Sequence, residues 1–359
     1  MFIYILLIIL ILIFSLRNTK SITKADILVF MILSFVSGFR YDVGTDFLGY
    51  ISYFNMIENG IDIPVEKGFV FLNVLISKMG LNSQALFLVM SILTMFFFIN
   101  GMKYYSTIIH FYKPLVYVAF LIFIYFSSFN GIRQSLAAAI LFYASRYIIE
   151  KRLILFGMWT LIAMQFHFSS ILFLLLFFVV GKSYSKKIML IVLLASFMLV
   201  KLNMVSEILI YINNNLSYLD VGGYLSNYLY DGYNLRDVSY GIVFYINILI
   251  ISMFIIMKNN IIDNRTELIV FNLFYIYNLI GILSMDVPAL TRLMLYFPIY
   301  MVICIPLIIK IVDDKIRPLF KYIMTTLYIL LYLFIIINGY INSGQSDFIP
   351  YKFNIDIFS

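Results

Sequence analysis

Charge is what this sequence has least of. Asp, Glu, Lys and Arg make up 12% of its 359 residues, where a soluble domain carries roughly a quarter. With 63% hydrophobic residues and a mean hydropathy of +1.00, no water-surrounded core of this size hides so much apolar surface. A soluble globular protein is excluded, and the lipid bilayer becomes the solvent. Cysteine is reduced to Cys304, inside the apolar run MVICIPLII, so an intrachain disulfide is excluded and the thiol reads as a small core hydrophobe. Two histidines, His110 and His167, are too few for a histidine-rich metal site, and no metal or other cofactor is expected. The opening stretch FIYILLIILILIF lacks the basic start and small-x-small cleavage site of a signal peptide, and Arg17, Lys20 and Lys24 follow it. It reads as an uncleaved first span with its N-terminus outside. The net charge of +7 is assigned to basic turns at the cytoplasmic face, so no nucleic-acid partner is expected.

A spanning helix needs about 20 apolar residues, and fewer where the bilayer thins. Twelve stretches qualify: 2–16, 25–39, 84–101, 113–130, 132–149, 153–166, 168–181, 187–203, 239–257, 266–284, 292–310 and 319–339. They predict an all-α, polytopic transmembrane bundle in which residues 1–359 form one integral membrane domain with both termini outside. This threading puts seventeen of the 25 basic residues in short cytoplasmic turns, and twelve of the 18 acidic residues on the other side. The segment 68–79 is apolar but too short to cross, and reads as a re-entrant or interfacial helix. The pair 153–166 and 168–181 is short for two crossings; it is either a hairpin with its tip at Gln165–Ser170 below the outer surface or one long helix, and the charge pattern favours the hairpin. The long loops, 40–67 and 204–238, both face outside.

Four constellations in those outside turns could carry chemistry. The first is Arg40-Tyr41-Asp42-Val43-Gly44-Thr45-Asp46 with Tyr50, where an arginine and two carboxylates at a membrane boundary must pair or line a wet cavity. Its plainer reading is an interfacial loop with Arg40 paired to Asp42 or Asp46. The second is Asn130-Gly131-Ile132-Arg133-Gln134-Ser135, whose Arg133 offers a planar fork suited to phosphate, or else snorkels at the headgroup level. The small residues Ala137-Ala138-Ala139 behind it let another helix approach closely. The third, Gln165-Phe166-His167-Phe168-Ser169-Ser170, holds the obvious general base in His167, unless the ring is a hydrogen-bonded packing residue. His110 reads as a solvated turn residue. The fourth is Asp286-Val287-Pro288-Ala289-Leu290-Thr291-Arg292, whose arginine could join Arg40 and Arg133 in one cationic pocket. The Tyr-, Asn- and Gly-rich run YLDVGGYLSNYLYDGYN (218–234) suits sugar binding or a polar cap.

At these residues the sequence resembles the EpsG family of exopolysaccharide and O-antigen polymerases, the Wzy-like proteins. The matching elements are Arg40 with Val43-Gly44-Thr45-Asp46 and Tyr50, then Asn130-Gly131-Ile132-Arg133-Gln134, then Phe166-His167-Phe168-Ser169, spread over roughly 25–310. The last span and tail add nothing specific to it. The resemblance implies an enzyme similar to the type C glycosyltransferases, which joins oligosaccharide units carried on undecaprenyl diphosphate on the outer face of the bacterial cytoplasmic membrane. It implies no metal or nucleotide sugar, and its partners are the lipid-linked oligosaccharides, the lipid bilayer and a chain-length regulator.

In that frame His167, Arg133, Arg40 and Asp46 are the expected catalytic residues, with Asp42 or Asp46 competing with His167 as base. Arg292, Asp42, Tyr50, Gln134 and Thr45 are the expected substrate-binding residues. A flippase or transporter for the same lipid-linked sugar would favour mid-span charges, broken helices and an internal repeat. A glycan ligase would use the same diphosphate pocket, and a membrane acyltransferase would leave the arginines without a purpose.

Overall fold

The computed structural model describes residues 1–15, 22–215, 242–341 and 348–358; Arg17, Lys20 and the run 218–234 lie outside them. Every named element is helical, and the described chain divides into two compact units, Met1–Val179 with Val302–Ser359, and Val180–Met301. This is a helical membrane protein. Among the described residues four helices are long and apolar enough to cross a bilayer alone: Ser83–Ser106, Phe244–Ile261, Arg265–Leu283 and Arg317–Ile341. A fifth crossing is formed if Lys186–Lys201 and Met204–Tyr211, bent by 79°, act as one broken span. The remaining apolar helices are shorter.

The first unit opens with α1 (Phe2–Ser15) and α2 (Lys24–Gly38), followed by two short helices, α3 (Phe47–Glu58) and α4 (Lys67–Lys78). The segment read as interfacial is thus a helix of its own, 12 residues long. Next come α5 (Ser83–Ser106) and α6 (Lys113–Phe120), the latter widening into a π-turn over Leu121–Tyr125 and tightening into a 3-10 turn at Ser127–Phe129. Then follow α7 (Ile132–Ala144), α8 (Arg146–Ile149), α9 (Leu153–Met164), a 3-10 turn (Phe168–Leu172) and α10 (Phe173–Val179). The stretch 153–179 is therefore the hairpin, with α9 folded against the 3-10 turn and α10.

Helices α2, α5 and α7 pack closely because small residues sit where they meet. A side chain at Gly38 would place its Cβ 2.8 Å from the Cα of Leu88 on α5, and one at Gly101 would meet the Phe142 ring of α7 at 2.5 Å. Ala137 and Ala139 of α7 are fully buried. Lipid tails give no hydrophobic gain for such contacts, so close backbone approach and dispersion supply the association.

At the far end of α2 a buried ion pair replaces an expected surface charge. Lys113, counted in the sequence as a cytoplasmic-turn cation, donates to Asp26 at 2.7 Å, with exposures of 3% and 0%. The Tyr117 hydroxyl donates to the other Asp26 oxygen at 2.7 Å, and the Thr23 N–H and hydroxyl also reach this carboxylate. Helix α2 is thereby capped and tied to α6.

The second unit contains α11 (Lys186–Lys201), α12 (Met204–Asn215), α13 (Ile242–Ile261), α14 (Arg265–Leu283), α15 (Thr291–Met294) and the start of α16 (Pro298–Ile311). Asp286 accepts from the Val205 and Ser206 N–H groups and the Ser206 hydroxyl, satisfying orphan donors where α12 starts. The chain returns to the first unit through α16 and α17 (Arg317–Ile341) and ends in the strap 348–358.

Removing one partner of a buried pair strands the other charge. Lys113→Met is expected to destabilise the protein by about 3–5 kcal/mol, and Lys113→Met with Asp26→Asn to recover part of that loss. Thermal unfolding in detergent checks it; equal melting of the single and double variants would contradict the assignment.

Candidate functional site

The end of α2 organises one end of the first unit. Arg40 follows α2 directly and is fully buried. Its Nη1 donates to the Ser37 carbonyl at 2.5 Å and to the Ser37 hydroxyl, its Nε to the Val43 carbonyl at 3.2 Å, and its Nη2 to the Phe129 carbonyl at 2.9 Å. Phe87 and Phe129 flank the guanidinium, with ring centres 4.9 and 5.0 Å away. Burial lowers its pKa to about 10, which keeps it protonated at neutral pH. The carboxylates expected to pair with it go elsewhere: Asp42 takes Lys352, and Asp46 accepts from the Gly131 N–H at 2.9 Å. Arg40 is therefore a clamp on main-chain carbonyls and not an open ligand for substrate.

The clamp joins two of the sequence constellations. The 3-10 turn at Ser127–Phe129 leaves the Phe129 carbonyl without a helical partner, and Arg40 supplies one. Gly44 has φ +100, and a Cβ there would stand 2.8 Å from Asn130 Oδ1 and 2.9 Å from the Phe129 carbonyl oxygen. Only glycine lets loop 40–46 lie flat on the turn at 129–131. With Asp46 on the Gly131 N–H, that loop fixes the start of α7 and with it Arg133.

Arg133 stands in the first turn of α7, and an acidic residue that sequence reasoning had passed over meets it. Glu66, the residue before α4, accepts from Arg133 Nη1 through Oε2. Its Oε1 lies 3.3 Å from His167 Nδ1 and accepts from the Phe168 N–H at 3.1 Å. The three side chains are nearly buried, with 13% exposure for Glu66, 12% for His167 and 20% for Arg133. Burial opposes ionisation of Glu66, but the His167 contact, the Arg133 charge and the Phe168 N–H outweigh it and hold its carboxyl below the ordinary range. The signal in the sequence was one of five acids in loop 40–67, and nothing in its spacing linked it to residues 67 and 101 positions away.

The hairpin tip is held against α4 by main chain. The Gly68 N–H, an orphan donor at the start of α4, donates to the Gln165 carbonyl at 3.0 Å. A Cβ on Gly68 would lie 2.6 Å from Gln165 Cβ and 2.7 Å from Gln165 O. This close approach brings His167 within reach of Glu66.

The remaining expected residues divide. Tyr50 on α3 is buried and hydrogen-bonds Arg133, so it supports that side chain. Phe69 lies beneath the same guanidinium, its ring centre 5.5 Å away. Gln134 is buried within α7. Asp42 and Thr45 line a separate cavity of about 210 Å³ with Ile349, Pro350 and Lys352 of the strap. The strap is laced to the end of α2 by Tyr41 N–H to Lys352 O at 3.0 Å and Asn354 N–H to Phe39 O at 2.9 Å. It also reaches α5 through Asn82 N–H to Ile357 O at 3.0 Å. Arg292 belongs to the second unit, on α15. His110 is exposed. Among the described residues no three His, Cys, Asp or Glu side chains converge as metal ligands would.

The family model of the EpsG family matches residues 23–353. This chain belongs to the EpsG family. Its match takes in all three motifs and runs on through α17 into the strap, which the sequence resemblance had left out. No curated protein and no solved structure matches the chain. The EpsG family is associated with glycosyltransferase-like polymerase activity, placing this member in polysaccharide biosynthesis at a bacterial membrane.

Because a Cβ at Gly68 would force Gln165 away, Gly68→Ala should separate His167 from Glu66. Gly157→Ala is the control, since its nearest neighbour would be Leu174 Cδ2 at 3.9 Å. Surface polysaccharide of cells carrying each variant should fall at least about tenfold for Gly68→Ala, since a small misplacement of side chains can cost that much, and stay at wild-type level for Gly157→Ala. Equal polymer from both would refute the contact's importance.

Proposed function

We propose that this protein is a polysaccharide polymerase that joins oligosaccharide repeat units carried on a lipid diphosphate, undecaprenyl diphosphate by family likeness, at the non-cytoplasmic face of the bacterial inner membrane. The observation that carries the reading is the setting of Arg133. It lies in the first turn of α7, where the helix's own N–H groups and dipole favour an anion. It is four-fifths buried, and among the described residues nothing accepts from its Nε. A buried guanidinium with an unused donor beside a helix start calls for an acceptor with several oxygens, as a diphosphate has.

The chemistry follows from that placement. The acceptor sugar's hydroxyl loses its proton to the His167 imidazole as its oxygen attacks the anomeric carbon of the donor. The bond from that carbon to the diphosphate oxygen breaks, and the electron pair leaves with the lipid diphosphate. Arg133 faces the charge that grows there, the kind of preorganised cation that is usually the largest contribution to such catalysis. Arg40 serves by holding the Phe129–Gly131 turn, and Asp46 by binding the Gly131 N–H. The bilayer presents both lipid-linked substrates, and a chain-length regulator is the expected protein partner.

The test is the glycan ladder of a strain lacking the gene and complemented with variants. Arg133→Lys is expected to lose the polymer, because a point charge does not replace the fork. His167→Ala is expected to lose about 10²–10⁴-fold of chain elongation. Single repeat units should still reach the surface in both. Loss of the single units as well would point to flipping or ligation and overturn the polymerase reading.

A further inference from the structure

Glu66 has no role in the reaction as written above, yet it is the residue around which the site is assembled. Its two oxygens are divided between two tasks. Oε2 takes Arg133, while Oε1 takes the Phe168 N–H and faces the His167 ring. The Phe168 N–H can only donate, so Oε1 is an acceptor, and a carboxyl held below its ordinary range carries no proton of its own to give. A proton held between Oε1 and the ring would therefore belong to Nδ1. At 3.3 Å the two groups stand at ion-pair distance without the alignment of a full hydrogen bond, and catalytic contacts of this kind often tighten only when substrate binds.

From this geometry, and resting on the polymerase reading, we propose that Glu66 is the positioning residue of the site. It fixes the Nδ1–H tautomer of His167, which leaves the Nε2 lone pair as the base, and in the same act aims the Arg133 fork. The backbone supports the assignment from both sides. Glu66 is the extended residue just before α4, and the first turn of α4 is pinned to the hairpin tip through Gly68 and Gln165. The His167 backbone is itself extended, and its N–H donates to the Ala163 carbonyl at 3.0 Å, so the ring is presented from a fixed stem. A carboxylate that selects an imidazole tautomer acts without touching substrate, and its loss is costly because the wrong nitrogen then carries the proton. One carboxylate serving both base and cation also ties the two halves of the reaction to a single set of coordinates. Displacing either partner disturbs the other.

The presence of only two histidines in the chain makes the proposal directly readable. His110 is exposed and outside the site, so His110→Gln leaves His167 as the single imidazole. Ring nitrogen NMR of that protein, labelled with ¹⁵N-histidine in detergent at mildly alkaline pH, should show the Nδ1–H tautomer. Adding Glu66→Ala should shift it to the Nε2–H form that unconstrained imidazole prefers, with Glu66→Leu, which keeps bulk but offers no acceptor, as the companion if Glu66→Ala does not accumulate. In cells, Glu66→Ala should reduce the glycan ladder by roughly 10²-fold or more, while Glu66→Asp retains more than Glu66→Ala. An Nε2–H ring in the His110→Gln protein, or an Nδ1–H ring unmoved by removing Glu66, overturns the proposal. A tautomer that switches while the ladder stays full overturns His167 as the base and leaves the Glu66 contact standing, so the two ideas fail separately.

Discussion

The burial of the Arg40 charge is the constraint on which this end of the molecule rests. A guanidinium taken wholly out of water is costly unless its donors are met. Here four hydrogen bonds to Ser37, Val43 and Phe129 and two aromatic faces meet them. Those acceptors come from the end of α2, the following loop and the turn before α7. Satisfying one side chain therefore fixes three pieces of backbone together. Gln84 of α5 adds a fourth by donating to the Gly38 and Arg40 carbonyls at 2.7 and 3.0 Å. The strap from the C-terminal end then closes over the same loop through backbone hydrogen bonds.

On that platform the site has a simple electrical plan. The start of α7 and Arg133 supply positive potential, and Glu66 and Asp46 offset it in the unliganded protein. Glu66 spends its charge on Arg133 and His167, and Asp46 spends its own on the Gly131 N–H. Arg40 has no carboxylate partner among the described residues, its donors being met by carbonyls and a hydroxyl. The structure thus separates two kinds of arginine that look alike in the sequence. One is fully buried and holds carbonyls, and the other is one-fifth exposed and keeps a donor unused.

Much of the fold was legible in the residues because apolar runs and charge-bearing turns are local signals. Each of the long helices falls on a predicted stretch, the hairpin at 153–179 follows the charge pattern, and the short helix at 67–78 was set apart by its length. The motifs around Arg40, Arg133 and His167 were also visible, since charged and glycine residues stand out in so apolar a chain. What could not be read were the pairings. The sequence offered Arg40 either a neighbouring carboxylate, Asp42 or Asp46, or a place in a cationic pocket, but carbonyls across the fold compete better for a fully buried fork. Glu66 looked like any loop acid, and Lys113 like any turn lysine, because burial against a distant partner leaves no trace in spacing. The tail looked unspecific for the same reason: its main-chain hydrogen bonds are ones any residue makes, and side-chain contacts such as Lys352 with Asp42 and Tyr351 with the Val36 carbonyl reach partners hundreds of positions away.

The central claim is that the Arg133 site elongates a glycan on a lipid diphosphate. The most direct measurement is reconstitution of the purified chain in nanodiscs with lipid-diphosphate-linked repeat units extracted from cells lacking the gene, followed by mass analysis of the products. The account predicts lipid-linked chains of two and more repeat units with one lipid diphosphate released per joint, and none from Arg133→Ala. No lengthening by folded wild-type protein, or equal lengthening by Arg133→Ala, would contradict it.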